Sequence, residues 1–357
     1  IADCGFNLPT CYLRLVTLRL CSFSTIMIHS SDPILIAGAG LSGLIAAREL
    51  RRLGYKTIVF EESAVVGGRM ATRSYNGARF DSGAQFFTVR EPRFEKLVDE
   101  WLAAGVACLW SRGFVRTSGR ARLDGHPRYR GMPGMDSIPH YLAQDLDLRL
   151  NHKVVSAAVV GSRWRLALED GESVDGRALI LTPPLPQSLA LLAAGDFELS
   201  AAVETQLAAI AYAPCLALLV EIVEASKLPP PGGLQLHGEP ITFIGDNTQK
   251  GVSPQGFALT IHGGPLFSEE HWESTDEEVA QLLLDEASFW INAPVKTWHL
   301  ERWRYSIPKD IIEQRFLHLP GPPDLIFSGD VFNGPRVEGA ALSGLAVVNK
   351  IVQLLSG

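Results

Sequence analysis

Three glycines and a glutamate near the start of the chain have the spacing of a dinucleotide-binding loop. Gly38, Gly40 and Gly43 form a Gly-x-Gly-x-x-Gly run. The first glycine permits a tight turn, the second lets backbone N–H groups approach a pyrophosphate, and the third allows close helix–strand packing. Glu61, 23 residues after Gly38, would accept hydrogen bonds from an adenosine ribose and disfavour a 2′-phosphate. The pattern favours FAD or NAD over NADP.

The elements around this loop are those of a βαβ unit. Residues 34–37 are a short apolar run without alternation, typical of a strand buried on both faces. Residues 44–53 have apolar side chains at helical spacing, and Gly54 stands at a C-cap position. Residues 56–60 form a second apolar run. A glycine motif between a strand and a helix is far more specific than the motif alone.

The rest of the chain mixes strands and helices without an internal repeat. Helices are predicted over residues 94–104, 135–146, 189–211, 276–290 and 339–355. Strands are predicted over residues 153–160, 164–169, 178–182, 215–222, 241–244, 257–262, 299–305 and 325–328. Asp170-Gly171 predicts a hairpin turn between strands 164–169 and 178–182. Ser274 or Thr275 is the expected N-cap of helix 276–290.

Composition excludes several classes of protein. The net charge is −7 and no dense Lys/Arg run occurs, so a nucleic-acid partner is not expected. The five cysteines are irregularly spaced without a CxxC pair, and no HExxH occurs, so neither a disulfide framework nor a metal site is expected. No apolar run reaches the roughly 18 residues of a membrane helix. A reducing, cytoplasmic location fits best.

Residues 1–27 are set apart as an extension that is either disordered or not part of the mature fold. The chain begins with Ile1, and Met27 is one candidate for the true start. A second reading is an organelle transit peptide, because this segment contains Arg14 and Arg19 and only one acid. In that case the location would be organellar. A third reading is an ordered extension.

Four later segments indicate that the bound nucleotide is FAD and not NAD. They are residues 67–70 (Gly-Gly-Arg-Met), 80–85 (Phe-Asp-Ser-Gly-Ala-Gln), 327–330 (Phe-Ser-Gly-Asp) and 339–344 (Gly-Ala-Ala-Leu-Ser-Gly). Together with the glycine loop they resemble the FAD-dependent amine oxidase superfamily. The resemblance implies that Arg69 lies near the pyrophosphate and the flavin edge, that Val154 pairs its backbone with the adenine, and that Asp330 binds the ribityl chain or diphosphate. It also implies that Gly339 opens a helix whose N-terminus faces the flavin.

The expected FAD-binding residues follow from the motifs and this resemblance. They are Gly38, Gly40, Leu41, Ser42, Gly43, Glu61, Glu62, Gly68, Arg69, Gln85, Val154, Thr182, Asp330, Gly339 and Ala340. No cysteine follows Cys215, which excludes attachment of the flavin through a C-terminal cysteine, so FAD is expected to be non-covalent. A second Gly-x-Gly-x-x-Gly is absent, which favours an oxidase over a reductase with its own nicotinamide-nucleotide fold.

A more detailed resemblance, from about residue 33 to residue 357, is to renalase and its bacterial relatives. It rests on residues 67–70, 83–86, 246–247, 260–262 and 302–304. It implies oxidation of aberrant dihydronicotinamide dinucleotides by hydride loss from C2 or C6, with the electrons passed to O2 as hydrogen peroxide. The alternatives left open are a flavin amine oxidase or desaturase acting on another small or lipid substrate, and a flavin-binding protein without turnover.

Three residues are the candidates for catalysis. His262 could orient a carboxamide or move a proton, although it could equally be a hydrogen-bonded histidine at a strand end. Trp303, with Tyr305 at i, i+2 spacing on one strand face, could stack on a planar ring or simply pack in the core. Gln85 could bind near the flavin or the substrate, or be structural. No metal ligand is expected.

The sequence thus predicts an α/β protein with a discontinuous Rossmann-like FAD-binding domain and a second α+β substrate domain built on a mixed sheet. The FAD-binding domain is expected over residues 28–88, 134–184 and 322–357. The substrate domain is expected over residues 89–133 and 185–321. The expected partners are a small-molecule substrate and O2, with no nucleic acid and no transmembrane segment. The oligomeric state does not follow from the sequence.

Overall fold

The computed structural model describes residues 32–116, 125–236 and 238–356. The strands, in chain order, are β1 Ile34–Ala37, β2 Thr57–Phe60, β3 Thr72–Tyr75, β4 Ala78–Asp81, β5 Ala107–Ser111, β6 Val115–Arg116, β7 Arg128–Gly131, β8 Leu148–Arg149, β9 Val154–Val160, β10 Arg163–Leu168, β11 Ser173–Gly176, β12 Ala178–Leu181, β13 Tyr212–Ile222, β14 Gly233–Gln235, β15 Ile241–Asp246, β16 Phe257–Gly263, β17 Val295–Pro308, β18 Leu317–Leu319 and β19 Asp324–Phe327. The extension expected over residues 1–27 lies outside the described residues.

The helices contain fewer residues in total than the strands, and they lie on the faces of the sheets. They are α1 Leu41–Arg52, α2 Pro92–Ala103, α3 Ser137–Leu142, α4 Leu185–Ala194, α5 Ala201–Ala208, α6 Pro265–Glu270, α7 Asp276–Ile291 and α8 Arg336–Ser356. A single 3-10 turn covers Gly68–Met70. The two six-stranded sheets described below organise these elements.

The first six-stranded sheet has the order β18-β19-β12-β1-β2-β8 and is parallel except for β18. Its central strands are buried on both faces because apolar layers cover both sides. Helices α1, α2, α3 and α8 cover one face. The three-stranded sheet β11-β10-β9 and helices α4 and α5 cover the other. The carboxyl ends of β1, β2, β12 and β19 therefore meet at one edge, where nucleotides bind in folds of this kind.

The second six-stranded sheet has the order β17-β13-β16-β15-β14-β6 and is mixed, because β14 pairs in parallel with β6 while the other pairs are antiparallel. Helix α7 packs on one face, against Leu218, Val220 and Ile261. The opposite face carries Leu219 and Ala258, which pack against the β3–β4 hairpin. That hairpin therefore connects the two sheets.

The expected fold class, a Rossmann-like domain with a second domain on a mixed sheet, is confirmed. The proposed limits of the two domains stay a prediction. Thr275 is the N-cap of α7, since its hydroxyl accepts a hydrogen bond from the Glu278 N–H at 3.2 Å. Among the described residues, α8 is long and apolar enough to cross a membrane. It packs instead against α1, with Leu342 and Val347 in the core.

Three expectations about local structure are wrong. The helix expected over 189–211 is two helices, α4 and α5, because the chain turns at Gly195-Asp196. The Asp170-Gly171 turn joins β10 to β11, a strand that the sequence reading missed, and the segment 178–182 belongs to the parallel sheet. Helix α8 begins at Arg336, so Gly339 lies in its first turn and does not open it.

Helix α8 crosses α1 at a glycine, and this contact should be sensitive to a single added carbon. A Cβ at Gly344 would lie 2.5 Å from the Ser42 carbonyl oxygen and 3.3 Å from the Ile45 Cβ. We expect Gly344→Ala to lower the free energy of unfolding by about 1–3 kcal/mol, even though alanine favours a helix by about 1 kcal/mol. Urea unfolding measures the change. Gly321→Ala is the control, since its Cβ would meet only the Pro323 carbonyl oxygen at 3.4 Å, and a loss as large there would contradict the prediction.

Candidate active site

The glycine loop lies at the carboxyl end of β1, and the Thr182 side chain stabilises it by hydrogen bonds. Gly38 has a φ of +95°, a region that side chains other than glycine rarely adopt. The Thr182 hydroxyl donates to the carbonyl oxygens of Ala37 (2.8 Å) and Gly38 (3.1 Å). Gly43 faces the same loop, where its Cβ would lie 2.2 Å from the Gly38 oxygen. Thr182 therefore supports the loop through its side chain and does not point toward a ligand.

Gly40 stands at the N-terminus of α1 and faces open space. It is the N-cap residue, and a Cβ placed on it would meet no atom of the protein within 4 Å. Gly68 lies across from it, since a Cβ there would be 3.8 Å from the Gly40 Cα. The first N–H groups of a helix have no partner within the helix and carry partial positive charge. These two backbones thus form a cradle that suits a pyrophosphate, and the group expected from the sequence fits it.

The side chains of Leu41 and Ser42 are used inside the protein. Leu41 is buried in the core, and the Ser42 hydroxyl lies 2.6 Å from that of Ser328. Ser328 in turn lies 2.8 Å from the Ser343 hydroxyl on α8. Only the backbone N–H groups of Leu41 and Ser42 remain for a ligand. The three hydrogen-bonded serine hydroxyls fix α1 and α8 relative to the end of β19.

Glu61 lies at the carboxyl end of β2 and is held in place by the backbone. Its carboxylate accepts from the Ala39 N–H at 2.8 Å and from the Ser63 N–H at 3.0 Å. Its carbonyl oxygen accepts from the His152 N–H at 2.9 Å, which places Val154 two residues from this contact, on β9. Glu62 is exposed. The ribose and adenine roles expected for Glu61 and Val154 fit this placement and stay predictions.

Arg69 and Asp330 form a bidentate ion pair, with N–O distances of 2.8 and 2.7 Å. Arg69 also donates to the carbonyl oxygens of Tyr305 (3.3 Å) and Ser306 (3.1 Å) on β17. Burial alone would lower the pKa of Arg69, but the Asp330 carboxylate outweighs it and raises that pKa. The guanidinium therefore remains charged, and it joins the carboxyl end of β19 to the second sheet. Both residues were expected near the cofactor from the sequence, but the ion pair between them was not predicted.

Gly339 and Ala340 lie in the first and second turns of α8. A Cβ on Gly339 would lie 1.5 Å from the Gly334 carbonyl oxygen, so no other residue fits there. The loop from Gly329 to Gly334 folds back over this turn. The positive end of α8 consequently lies beside the Asp330 segment, and the helix starts three residues earlier than expected. The expected position of this helix end at the flavin stays a prediction.

His262 and Trp303 converge on one carbonyl group, that of Ser82. The His262 Nε2 lies 3.0 Å from this oxygen, and the Trp303 Nε1–H donates to it at 3.3 Å. Because a carbonyl oxygen can only accept, Nε2 must carry the hydrogen and Nδ1 is left as an acceptor. Burial lowers the pKa of His262 to about 4, and the charge of Lys250 adds to this. The imidazole is therefore neutral near pH 7.

Gln85 is committed to the protein through its amide. Its Nε2 donates to the carbonyl oxygens of Asp81 and Gly83, and its Oε1 accepts from the Lys250 ammonium at 3.4 Å. Both donor hydrogens are therefore used, and the geometry favours the structural reading of Gln85 over the catalytic one. The sequence analysis missed Lys250, which is fully buried and pairs with Asp81 at 2.7 Å. Lysine is almost never fully buried unless it is paired, and no sequence signal marked this one.

Aromatic side chains form a wall next to these residues. Phe86, Phe114 and Phe243 have ring centroids 5.2–6.0 Å apart. Phe243 lies 6.4 Å from the His262 ring. On β17, Tyr305 packs edge-on against Tyr212 at 5.5 Å. Such surfaces suit a planar ring. Within the described ranges no three histidine, cysteine or carboxylate side chains come together as a metal site requires.

The cradle can be tested at Gly40. We expect Gly40→Val to fold, because its side chain enters space that no protein atom occupies. The same space is where the pyrophosphate would lie, so the purified variant should be colourless while the wild-type protein is yellow. Circular dichroism and the visible absorbance of oxidised flavin measure the two outcomes. Gly321→Val, on an exposed loop, is the control. A folded, fully yellow Gly40→Val protein would rule out this cofactor placement.

The low pKa of His262 predicts how stability depends on pH. In the unfolded chain histidine binds a proton near pH 6.5, whereas folded His262 resists protonation until about pH 4. Between these values the unfolded state binds more protons, so stability falls as pH falls, by up to about 3 kcal/mol from this group. His262→Asn should show a shallower loss between pH 6.5 and 4.5 in urea unfolding. His140→Asn, at an exposed histidine, should match the wild-type slope; equal slopes in all three proteins would contradict the assignment.

Comparison with known proteins agrees with this geometry. Residues 36–101 match the family model of the NAD(P)-binding Rossmann-like domain, and residues 102–352 match that of the flavin containing amine oxidoreductases. Renalase from Mus musculus is 27% identical over 345 residues, which are 88% of this chain and 97% of that protein. An L-amino acid dehydrogenase from Synechocystis sp. is 41% identical over 73 residues, 20% of this chain and 16% of that protein.

Solved structures show the same fold. Cyclohexylamine oxidase from Brevibacterium oxydans has a TM-score of 0.71 at 13% identity, covering 91% of this chain and 100% of that one. A putrescine oxidase bound to putrescine has a TM-score of 0.67 at 15% identity, covering 90% and 99%. The expected resemblance and the FAD cofactor are confirmed. The chain belongs to the flavin containing amine oxidoreductase family and is an FAD-dependent oxidoreductase.

Proposed function

We propose that this protein is a renalase-like oxidase, which takes a hydride from a dihydronicotinamide-type substrate and passes the electrons to O2. The observation that carries the proposal is the convergence of His262 and Trp303 on the Ser82 carbonyl. The likeness to mouse renalase, which extends over 97% of that protein, supports it. Both residues lie in segments that the sequence analysis compared with the renalase family.

FAD, when bound, supplies a ring that accepts a hydride. The chain supplies the position and the electrostatics. The glycine cradle and the N-terminus of α1 suit the pyrophosphate, and the first turn of α8 places partial positive charge beside the Asp330 segment. Arg69 stays charged beside Asp330 and ties the end of β19 to β17 at this edge.

The neutral His262 suits a hydride donor of this kind. A dihydronicotinamide loses a hydride without prior removal of a proton, so neither a base nor a nucleophile is required of the protein. The Nε2–H is held by Ser82, and Nδ1 remains as an acceptor that can receive a hydrogen bond from a carboxamide NH2 group. Trp303, fixed by the same carbonyl oxygen, offers a flat face for a planar ring.

An anaerobic titration of the yellow protein tests the proposal. We expect the 2- and 6-dihydro isomers of NADH to bleach the flavin absorbance within the mixing time of a manual experiment, and air to restore it with formation of one equivalent of hydrogen peroxide. Ordinary NADH, the 4-dihydro isomer, serves as the matched comparison. Bleaching by cyclohexylamine or putrescine instead would favour the amine-oxidase alternative. No bleaching by any compound of a broad amine, lipid and nicotinamide panel would favour a flavin-binding protein without turnover.

A further inference from the structure

Lys250 is a fully buried lysine beside the residues that the proposed function uses, and burial lowers its pKa while the Asp81 carboxylate opposes that shift. Its side chain and that of its partner Asp81 are both 0% exposed, and the ammonium lies 2.7 Å from the Asp81 Oδ2. The same ammonium donates to the Gln85 Oε1 at 3.4 Å and lies 4.7 Å from the centre of the Trp110 ring. Burying two charges is unfavourable, and two well-packed apolar side chains at this position would often be as stable or more stable.

Asp81 connects Lys250 to four separate parts of the chain. Its Oδ1 accepts from the Thr72 hydroxyl (2.6 Å) and from the Met135 N–H (2.9 Å). Its backbone N–H donates to the Asn247 Oδ1 at 3.1 Å, and its carbonyl oxygen accepts from the Thr260 hydroxyl at 3.0 Å. Every one of these contacts restrains the position of Asp81 at the end of β4.

The residue that follows Asp81 is Ser82, whose carbonyl holds His262 and Trp303. Fixing Asp81 therefore fixes the acceptor that orients both side chains. Thr260, two residues before His262 on the same face of β16, binds the preceding carbonyl. The Ser82 carbonyl is consequently positioned from both sides, by the Lys250–Asp81 pair and by β16.

The charge of Lys250 also acts on the imidazole. Lys250 follows β15, Asp81 ends β4, and Glu301 lies two strands away on β17, where it pairs with Arg73 (3.5 Å) and Tyr75 (2.7 Å). The sheet neighbours of His262, Ala217 and Phe243, are uncharged. Of the charged groups, Lys250 is the one that lowers the pKa of His262, after burial.

We propose that Lys250 is a positioning residue of the active site: its pair with Asp81 fixes the Ser82 carbonyl that orients His262 and Trp303, and its charge acts on the imidazole. This proposal rests on the roles proposed above for those two residues and not on the identity of the substrate. Lys250 touches neither reacting group and acts through Asp81, Gln85 and Ser82.

The experiment compares the FAD-loaded wild-type protein with Lys250→Met and with the double variant Lys250→Met/Asp81→Asn. The single variant leaves a buried carboxylate without its partner, and we expect it to be strongly destabilised. The double variant removes both charges and keeps an oxygen for Thr72 and Met135, so we expect it to fold and bind FAD. The matched control is Lys296→Met/Glu221→Gln, which removes a lysine–carboxylate pair of the same 2.7 Å length between β17 and β13 of the second sheet.

The first readout is the titration of the His262 ring by NMR, assigned with His262→Asn, and it requires no substrate. We expect a midpoint near pH 4 in the wild-type protein and in the control, and a rise of about one pH unit or more in the double variant. The second readout is the limiting rate of anaerobic flavin reduction, which should fall about tenfold or more in the double variant, with a smaller change in the substrate concentration at half-maximal rate.

An unchanged His262 midpoint in a folded double variant would overturn the proposal, as would a reduction rate within twofold of the wild-type rate. Failure of the double variant to fold would also overturn it, because the pair would then be a requirement of folding and not of the site. If dihydronicotinamides do not reduce the flavin, the proposed function fails while the NMR readout still decides the role of Lys250.

Discussion

The close approach of α1 to its neighbours is the constraint on which the rest of the structure depends. The helix meets β1 where Gly43 lies against the Gly38 carbonyl, and it meets α8 where Gly344 lies against the Ser42 carbonyl. Any side chain at these two contacts would move α1 away and tilt its N-terminus. Three other features depend on this packing. The open cradle at Gly40 is the N-terminus of α1, the hydrogen-bonded hydroxyls of Ser42, Ser328 and Ser343 join α1 and α8 to the end of β19, and the first turn of α8 is positioned by the contact of α8 with α1.

The second sheet reaches the cofactor edge through a small number of polar contacts. The β3–β4 hairpin lies across one face of that sheet, and Asp81 at its end binds Thr72, Met135, Asn247, Thr260 and Lys250. Arg69 makes a separate connection, from the Gly-Gly-Arg turn to Asp330 and to β17. Two charge pairs, one fully buried and one partly buried, therefore join the halves of the molecule, and each one ends beside a group expected to bind the cofactor or the substrate.

The sequence predicted the parts of this structure that depend on local pattern. The βαβ unit, the cap at Thr275 and the fold class follow from apolar spacing, glycine positions and helix-end chemistry. Residues 189–211 are split at the Gly195-Asp196 turn, where a Cβ on Gly195 would lie 2.1 Å from the Ala157 carbonyl oxygen of β9. This turn was overlooked, and the sheet to which 178–182 belongs depends on long-range pairing, so both segments were assigned wrongly. His262 and Trp303 were found through motif resemblance. Lys250 was not, because a buried ion pair joins residues 169 positions apart and leaves no periodic signal.

The two backbone hydrogen bonds to Glu61 have a consequence for how the cofactor is retained. The carboxylate is held by the Ala39 and Ser63 N–H groups, so its rotamer is already chosen before a ribose arrives. Ordering a free glutamate side chain costs about 1.5–2 kcal/mol of conformational entropy. The Glu61 side chain is already ordered in the folded protein, so ligand binding does not have to order it. Preorganisation of this kind slows dissociation of a bound ligand more than it speeds association. We therefore expect a dinucleotide bound at this edge to dissociate slowly.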